Sequence, residues 1–146
     1  MAEAMKGTLF LIPNALGAGV LEQVLTADVR AITADLDYFV AENAKTARAF
    51  LNQVALTHPL RVRLQDIEIR ELNVKTPASA LPDLLAPLLA GRPGGLVSEA
   101  GVPAVADPGA DLVRLAHERG LRIRPLVGPS SILLALMSSG LSGQNF

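Results

Sequence analysis

Short, continuous apolar runs alternate along this chain with stretches of helical periodicity. Residues 8–12 and Tyr38–Ala41 are runs of the first kind, the pattern of parallel strands covered on both faces. The first stops at Pro13-Asn14 and leads toward a weakly patterned helix over residues 20–33. The second stops at Glu42-Asn43. Asn43 is placed to cap the next helix, in which Ala47, Phe50, Leu51 and Val54 recur at i, i+3, i+4 and i+7. His58-Pro59 ends that helix, because the residue before a proline is pushed out of the helical region.

In the middle of the chain Ile67, Ile69 and Leu72 are set among Glu68 and Arg70, which predicts a half-exposed strand. Leu81, Leu84, Leu85, Leu88 and Leu89 then form an apolar helical stripe. Pro82 and Pro87 fall inside it and predict a kinked or two-piece helix, ended by Gly91. A strand over residues 95–98 follows. Asp107 and Pro108 then read as the N-cap and first residue of a helix that buries Leu112, Leu115 and Ala116 and stops at Gly120. Residues 121–127 read as a last strand, whose Pro125 argues for an edge position or a strand end. Five strands alternating with helices predict an α/β fold: an open, mainly parallel five-stranded sheet with helices on both faces and right-handed crossovers.

Composition narrows the function classes. The chain has 146 residues, 50% hydrophobic and 18% charged, which suits one domain with a real core or one domain plus part of another. It has no cysteine, which removes disulfides, thiolate nucleophiles and cysteine zinc sites together. The formal net charge of −1 gives no global footprint for nucleic acid. No apolar run is long enough to span a bilayer and no signal-peptide pattern opens the chain, so a cytoplasmic location away from membranes is the expectation. No metal site is expected.

The segment from Val97 to Gly109 is the main candidate for chemistry. It leaves an apolar strand end, carries small residues and reaches Asp107-Pro108 at a helix start. Open α/β sheets place ligands in such loops past the carboxyl ends of strands. Glu99 is its natural polar handle. The plain alternative is a tight strand-to-helix connection, with glycine and proline for turn geometry and Glu99 as a solvated acid. After residue 127 the character changes: Gly128-Pro129-Ser130-Ser131 reads as a hinge, and residues 132–137 are apolar all round. This predicts an N-terminal α/β domain over residues 1–127, with residues 128–146 as a linker and the first helix of a second domain. A C-terminal helix packed on the first domain is the competing reading.

Three segments together resemble the tetrapyrrole methylase superfamily of S-adenosylmethionine-dependent methyltransferases: residues 9–13 (Leu-Phe-Leu-Ile-Pro), 97–109, and 128–132 (Gly-Pro-Ser-Ser-Ile). Val-Ser-Glu-Ala-Gly-Val-Pro followed by Asp-Pro-Gly is most similar to the branch that methylates a ribose 2′-hydroxyl of small-subunit ribosomal RNA, where the stretch typically reads Ser-Asp-Ala-Gly-Thr-Pro. The resemblance implies a two-domain α/β protein that binds S-adenosylmethionine between its domains and works as a homodimer, with ribosomal RNA or the small ribosomal subunit as partner. By position it implies that Pro13, Glu99, Ala100, Gly101, Val102, Ser130 and Ser131 line the cofactor. Small residues at 100 and 101 suit close backbone approach, and methyl transfer mainly needs in-line alignment in a dry cleft. Each of these residues also has a structural reading: Pro13 as a strand end, Ser130 and Ser131 as helix caps.

Two segments depart from that branch. It usually carries Thr-Pro-Ile-Gly-Asn after the first strand and Ala-Glu-Asp-Thr-Arg after the second, where this chain has Pro13-Asn14-Ala15-Leu16-Gly17 and Ala41-Glu42-Asn43-Ala44-Lys45. Glu42 and Asn43 are therefore candidate substrate residues, and the departures fit a related branch with a different methyl acceptor. No residue reads as a general base, since His58 and His117 have the setting of surface histidines. The rival classes are a methyltransferase-like domain with another small-molecule substrate and a non-catalytic α/β interaction domain.

Overall fold

A computed structural model describes residues 5–13, 25–97 and 109–128. Its strands are β1 (Leu9–Ile12), β2 (Tyr38–Ala41), β3 (Glu68–Glu71), β4 (Gly94–Val97) and β5 (Ile123–Pro125), and its helices are α1 (Ala27–Ala34), α2 (Ala44–Ala55), α3 (Leu81–Leu89) and α4 (Gly109–Glu118). The strands form one five-stranded sheet in the order β3-β2-β4-β1-β5. Every pair is parallel, with Ile12 beside Val97 and Ala41 beside Val97 at the carboxyl ends. The expected α/β architecture is present, and β5 is at an edge, as Pro125 predicted.

Side-chain alternation divides the core into two layers. Ile12, Phe39, Ala41 and Val97 face α1 and α2 across Val29, Phe50, Leu51 and Val54. Leu9, Leu11, Tyr38, Val40 and Leu96 face α3 and α4 across Leu84, Leu85, Leu88, Leu112 and Ala116. The first two helices thus cover one face and the last two the other, as right-handed crossovers require for this strand order. Residues 94 and 95 are glycines in the middle of the sheet because the neighbours need the volume. A Cβ on Gly95 would collide with Cδ1 of Ile12 and stand 3.0 Å from the Phe39 ring.

Several elements differ from their sequence expectation for identifiable reasons. The weak helix over 20–33 is not continuous: Leu25 is in a bend and Thr26 is the N-cap of α1, its hydroxyl accepting from the Val29 N–H at 3.2 Å. Residues 20–24 lie outside the described residues. The proline-bearing stripe is neither two helices nor two half-helices, since Leu81–Leu89 is one α-helix with Pro82 in its first turn. Pro87 cannot donate to the carbonyl four residues back, that of Asp83. Arg70 Nη1 donates to that oxygen at 2.9 Å instead. In β3, Ile67 and Ile69 share the α2 side, whereas Leu72 has the opposite parity and packs with the α3 layer. The strand expected over 95–98 begins at Gly94, and the one over 121–127 is shortened to Ile123–Pro125, although Leu121 and Leu126 on either side are buried. In α4, Leu112 and Ala116 are buried as expected and Leu115 only partly so. Gly91 and Gly120 end their helices at φ +104° and +73°, backbone that favours glycine. The Asp107-Pro108 cap, residue 98 and the helix expected over 132–137 lie outside the described residues.

Candidate functional site

The strand order singles out one place on the molecule. The connections after β1 and β2 cross the α1/α2 face, and the connection after β4 crosses the other. β4 lies between β2 and β1, and the helix that follows it is on the opposite face from the helices that follow them. A crevice opens at such a switch point, past the carboxyl ends of the strands. Pro13 stands at the end of β1 and is buried. Gly128, just past β5, is pressed against it so closely that a Cβ there would collide with Cβ and Cγ of Pro13. The chain segments that follow β1, β4 and β5 therefore set out from one edge of the sheet. Glu99, Ala100, Gly101, Val102, Ser130 and Ser131 lie outside the described residues, so among the expected cofactor residues only Pro13 has a described position.

The turn after β2 is held from three sides. Asn43 Oδ1 accepts from the backbone N–H groups of Lys45 and Thr46 at 2.9 and 3.1 Å, so this side chain caps α2. Glu71, at the end of β3, accepts from the Ala44 N–H at 2.8 Å, a carboxylate satisfying an orphan donor at a positive helix end. The Glu42 carbonyl accepts from Asn73 Nδ2 at 3.3 Å, while the Glu42 side chain is exposed. Of the two candidate substrate residues, Asn43 thus has its oxygen committed to the helix, and Glu42 projects from the carboxyl edge.

The sequence reading missed a cleft of about 280 Å³ beside this edge, lined by Leu72, Asn73, Thr76, Leu81 and Asp111. It lies past the end of β3, where the chain folds into a turn with Asn73 Oδ1 accepting from the Lys75 N–H at 2.9 Å and Thr76 Oγ1 accepting from the Asn73 N–H at 3.0 Å. The Asn-x-x-Thr spacing was the available signal for that turn. The cleft itself depends on α4 bringing Asp111 from 30 or more residues downstream, which no local pattern encodes.

The opposite, amino edge is electrostatically closed. Arg92 donates to Asp37 Oδ1 and Glu68 Oε1, each at 2.9 Å, and its guanidinium lies 5.1 Å from the Tyr38 ring centroid. Burial works to lower the pKa of Arg92, but the hydrogen bonds it donates to Asp37 and Glu68, with the attraction of their charges, outweigh it and hold the value above the ordinary one. Arg61 adds contacts to Asp35 and Asp37 at 3.4 and 3.6 Å. These charges knit β2, β3 and the approach to β4. His58 sits by Thr57, with Nδ1 at 3.0 Å from the hydroxyl, and His117 is exposed on α4. Among the described residues no group of three or more histidines or acids is placed to hold a metal, and no helix is long and apolar enough to cross a membrane.

Comparison with known proteins agrees with this geometry. No family model matches the chain. It is 33% identical over 141 residues to the ribosomal RNA small subunit methyltransferase I of Halalkalibacterium halodurans, covering 97% of this chain and 45% of that protein. It is 31% identical to the protein of the same name from Streptococcus pyogenes, with 94% and 44% covered. The Escherichia coli O157:H7 protein of that name is 29% identical, with 99% and 46% covered. Among solved structures, the uroporphyrin-III-C-methyltransferase of Thermus thermophilus matches with a TM-score of 0.58 at 22% identity, over 94% of this chain and 55% of that one, and so shares its fold. The chain spans about half the length of the curated relatives it matches. Whatever its departures after β1 and β2, this chain is similar in sequence to about half the length of proteins named ribosomal RNA small subunit methyltransferase I and shares the fold of the Thermus thermophilus uroporphyrin-III-C-methyltransferase.

Proposed function

We propose that this chain forms one wall of an S-adenosylmethionine site in a methyltransferase that acts on ribosomal RNA of the small subunit. The observation that carries the reading is the convergence of Pro13, the chain leaving Val97, and Gly128 on one edge at the switch point of the sheet. These are the end of the first and the starts of the other two segments whose sequence resembles the family, and they are adjacent although more than 80 residues separate Pro13 from Val97. Relatives spanning twice this length are named for methyl transfer to the same RNA.

In this reading the loop after β4 holds the cofactor through Glu99 and the backbone of Ala100, Gly101 and Val102. Pro13 shapes the floor, and Ser130 and Ser131 contact the cofactor from the linker. Residues 1–127 are the N-terminal domain, and residues 128–146 enter a second domain that supplies the facing wall. Bound S-adenosylmethionine supplies an electrophilic methyl group. The protein's part is alignment and exclusion of water. Glu42 projects from the same edge and is the candidate to meet the methyl acceptor. The protein works as a homodimer in the cytoplasm.

The test is methyl transfer from labelled S-adenosylmethionine to small ribosomal subunits, taken from a strain lacking the gene and incubated with the protein lengthened to the span of its relatives. Label in the small-subunit RNA is the expected result. Label confined to protein or small molecules, or none at all, overturns ribosomal RNA as the acceptor.

A further inference from the structure

We propose that the β5 edge of the sheet is a contact surface for the phosphate backbone of RNA, formed by Lys6, Arg119, Arg122 and Arg124. The proposal deepens the reading above and rests on RNA being the substrate. The chain as a whole has a formal net charge of −1, so a cationic surface on it must come from segregation of charge. Such segregation is visible here. From the last turn of α4 through β5, Arg119, Arg122 and Arg124 face Glu118 alone among acids, and all three are exposed. The fold adds Lys6 from 113 residues away, its Nζ donating to the Arg119 carbonyl at 2.8 Å.

Pairing separates these cations from most others. Among the described residues Arg61, Arg63, Arg92 and Arg114 each contact a carboxylate within 3.6 Å. Arg70 and Arg30 are half-buried, the one on the Asp83 carbonyl and the other on Leu25 and Thr57, whereas Lys6 is exposed. Lys45, Arg48 and Lys75 also lack a carboxylate partner among the described residues, but Lys45 and Arg48 start a helix whose approach carries Glu42 and Glu71, and Lys75 stands alone in the turn after β3. Arg119, Arg122 and Arg124 are exposed and have no carboxylate within salt-bridge distance among the described residues.

The arrangement suits a polyanion. Arg122 and Arg124 are two residues apart on extended chain and share a face, roughly 7 Å from one another. Arg124 lies 5.9 Å from the centroid of the half-buried Phe10 ring, the residue opposite it in register. That contact places the exposed Arg124 guanidinium near the ring, in reach of a phosphate or a base. A further strand is a poor fit, because the outer edge carries arginines and Pro125 lacks an N–H. The surface runs along β5 toward Gly128 and Pro13, so RNA lying on it is led to the edge proposed for methyl transfer.

The experiment measures binding of labelled small-subunit ribosomal RNA by the full chain across salt from about 50 to 200 mM, because each phosphate neutralised adds about 0.7 to 0.9 to the slope of log K against log salt. The Arg119→Gln/Arg122→Gln/Arg124→Gln variant is expected to lose about two to three units of that slope while keeping the thermal melt of the parent. Arg61→Gln/Arg63→Gln, which removes paired cations, is expected to keep the parental slope. An unchanged slope in the triple variant, or a parent chain that binds no RNA, overturns the proposal. Calorimetric titration of S-adenosylmethionine into the protein lengthened to the span of its relatives, run beside these RNA measurements, separates the two readings. Cofactor binding without RNA binding sinks this surface alone, and RNA binding with the expected slope loss but no cofactor binding sinks the methyltransferase reading alone.

Discussion

Tyr38 shows how much one side chain does in this sheet. It is fully buried in the α3 layer, its hydroxyl donates to the Leu84 carbonyl at 2.6 Å, and Arg92 lies over its ring. Burial raises its pKa above 10.0, with Arg70 pulling the other way. A group held protonated in the folded state gives stability that is complete below the unfolded value and is lost as pH rises through the folded one. The chain has one tyrosine and no tryptophan, so phenolate absorbance reports Tyr38 alone. Its midpoint is expected above that of free tyrosine and coincident with loss of far-ultraviolet ellipticity; a midpoint at the free value would count against the buried hydrogen bond. Tyr38→Phe removes the bond while keeping the ring and is expected to cost about 1 kcal/mol in denaturant unfolding. Gly95→Ala, whose methyl must enter the space of Ile12, is expected to cost about 1–3 kcal/mol by overpacking. The volume rule that puts glycine at 95 was not readable from the sequence, where Gly94-Gly95 reads equally as a turn.

Among the elements, α2 was the most legible. Its cap and its apolar positions 47, 50, 51 and 54 follow from local chemistry, and it ends at Ala55, a few residues before the expected stop at His58-Pro59. Asn43→Ala is therefore expected to destabilise the protein by about 0.5–2 kcal/mol, read as a lowered melting temperature. In α3 the same local logic misled, because the disruption expected from Pro87 is offset by Arg70 from β3, a partner that only the tertiary fold brings to Asp83. A double-mutant cycle checks this. Arg70→Ala alone is expected to cost about 0.5–1.5 kcal/mol, and less in a Pro87→Ala background, where the restored N–H can serve the Asp83 carbonyl. Equal costs in both backgrounds would show that the Arg70 bond does not depend on the proline.

For the whole molecule, the fold class was legible in the alternation of apolar runs and helical stretches, and the edge place of β5 in its proline. The order β3-β2-β4-β1-β5 was not, because β4 inserts between strands whose pairing is decided by which face each crossover covers. That insertion creates the switch point beside the candidate loop, the kind of place where open α/β sheets put their ligands. The cleft beside β3 and the basic β5 edge were likewise hidden, since each joins residues far apart in the chain. The central claim is that this edge binds S-adenosylmethionine. Its most direct test is calorimetric titration of S-adenosylmethionine into the protein lengthened to the span of its relatives, beside its Glu99→Ala variant. Saturable binding, weakened about tenfold, or by roughly 1.4 kcal/mol, in the variant is the predicted result. No heat of binding in the lengthened protein, under conditions where it is folded, would contradict the account.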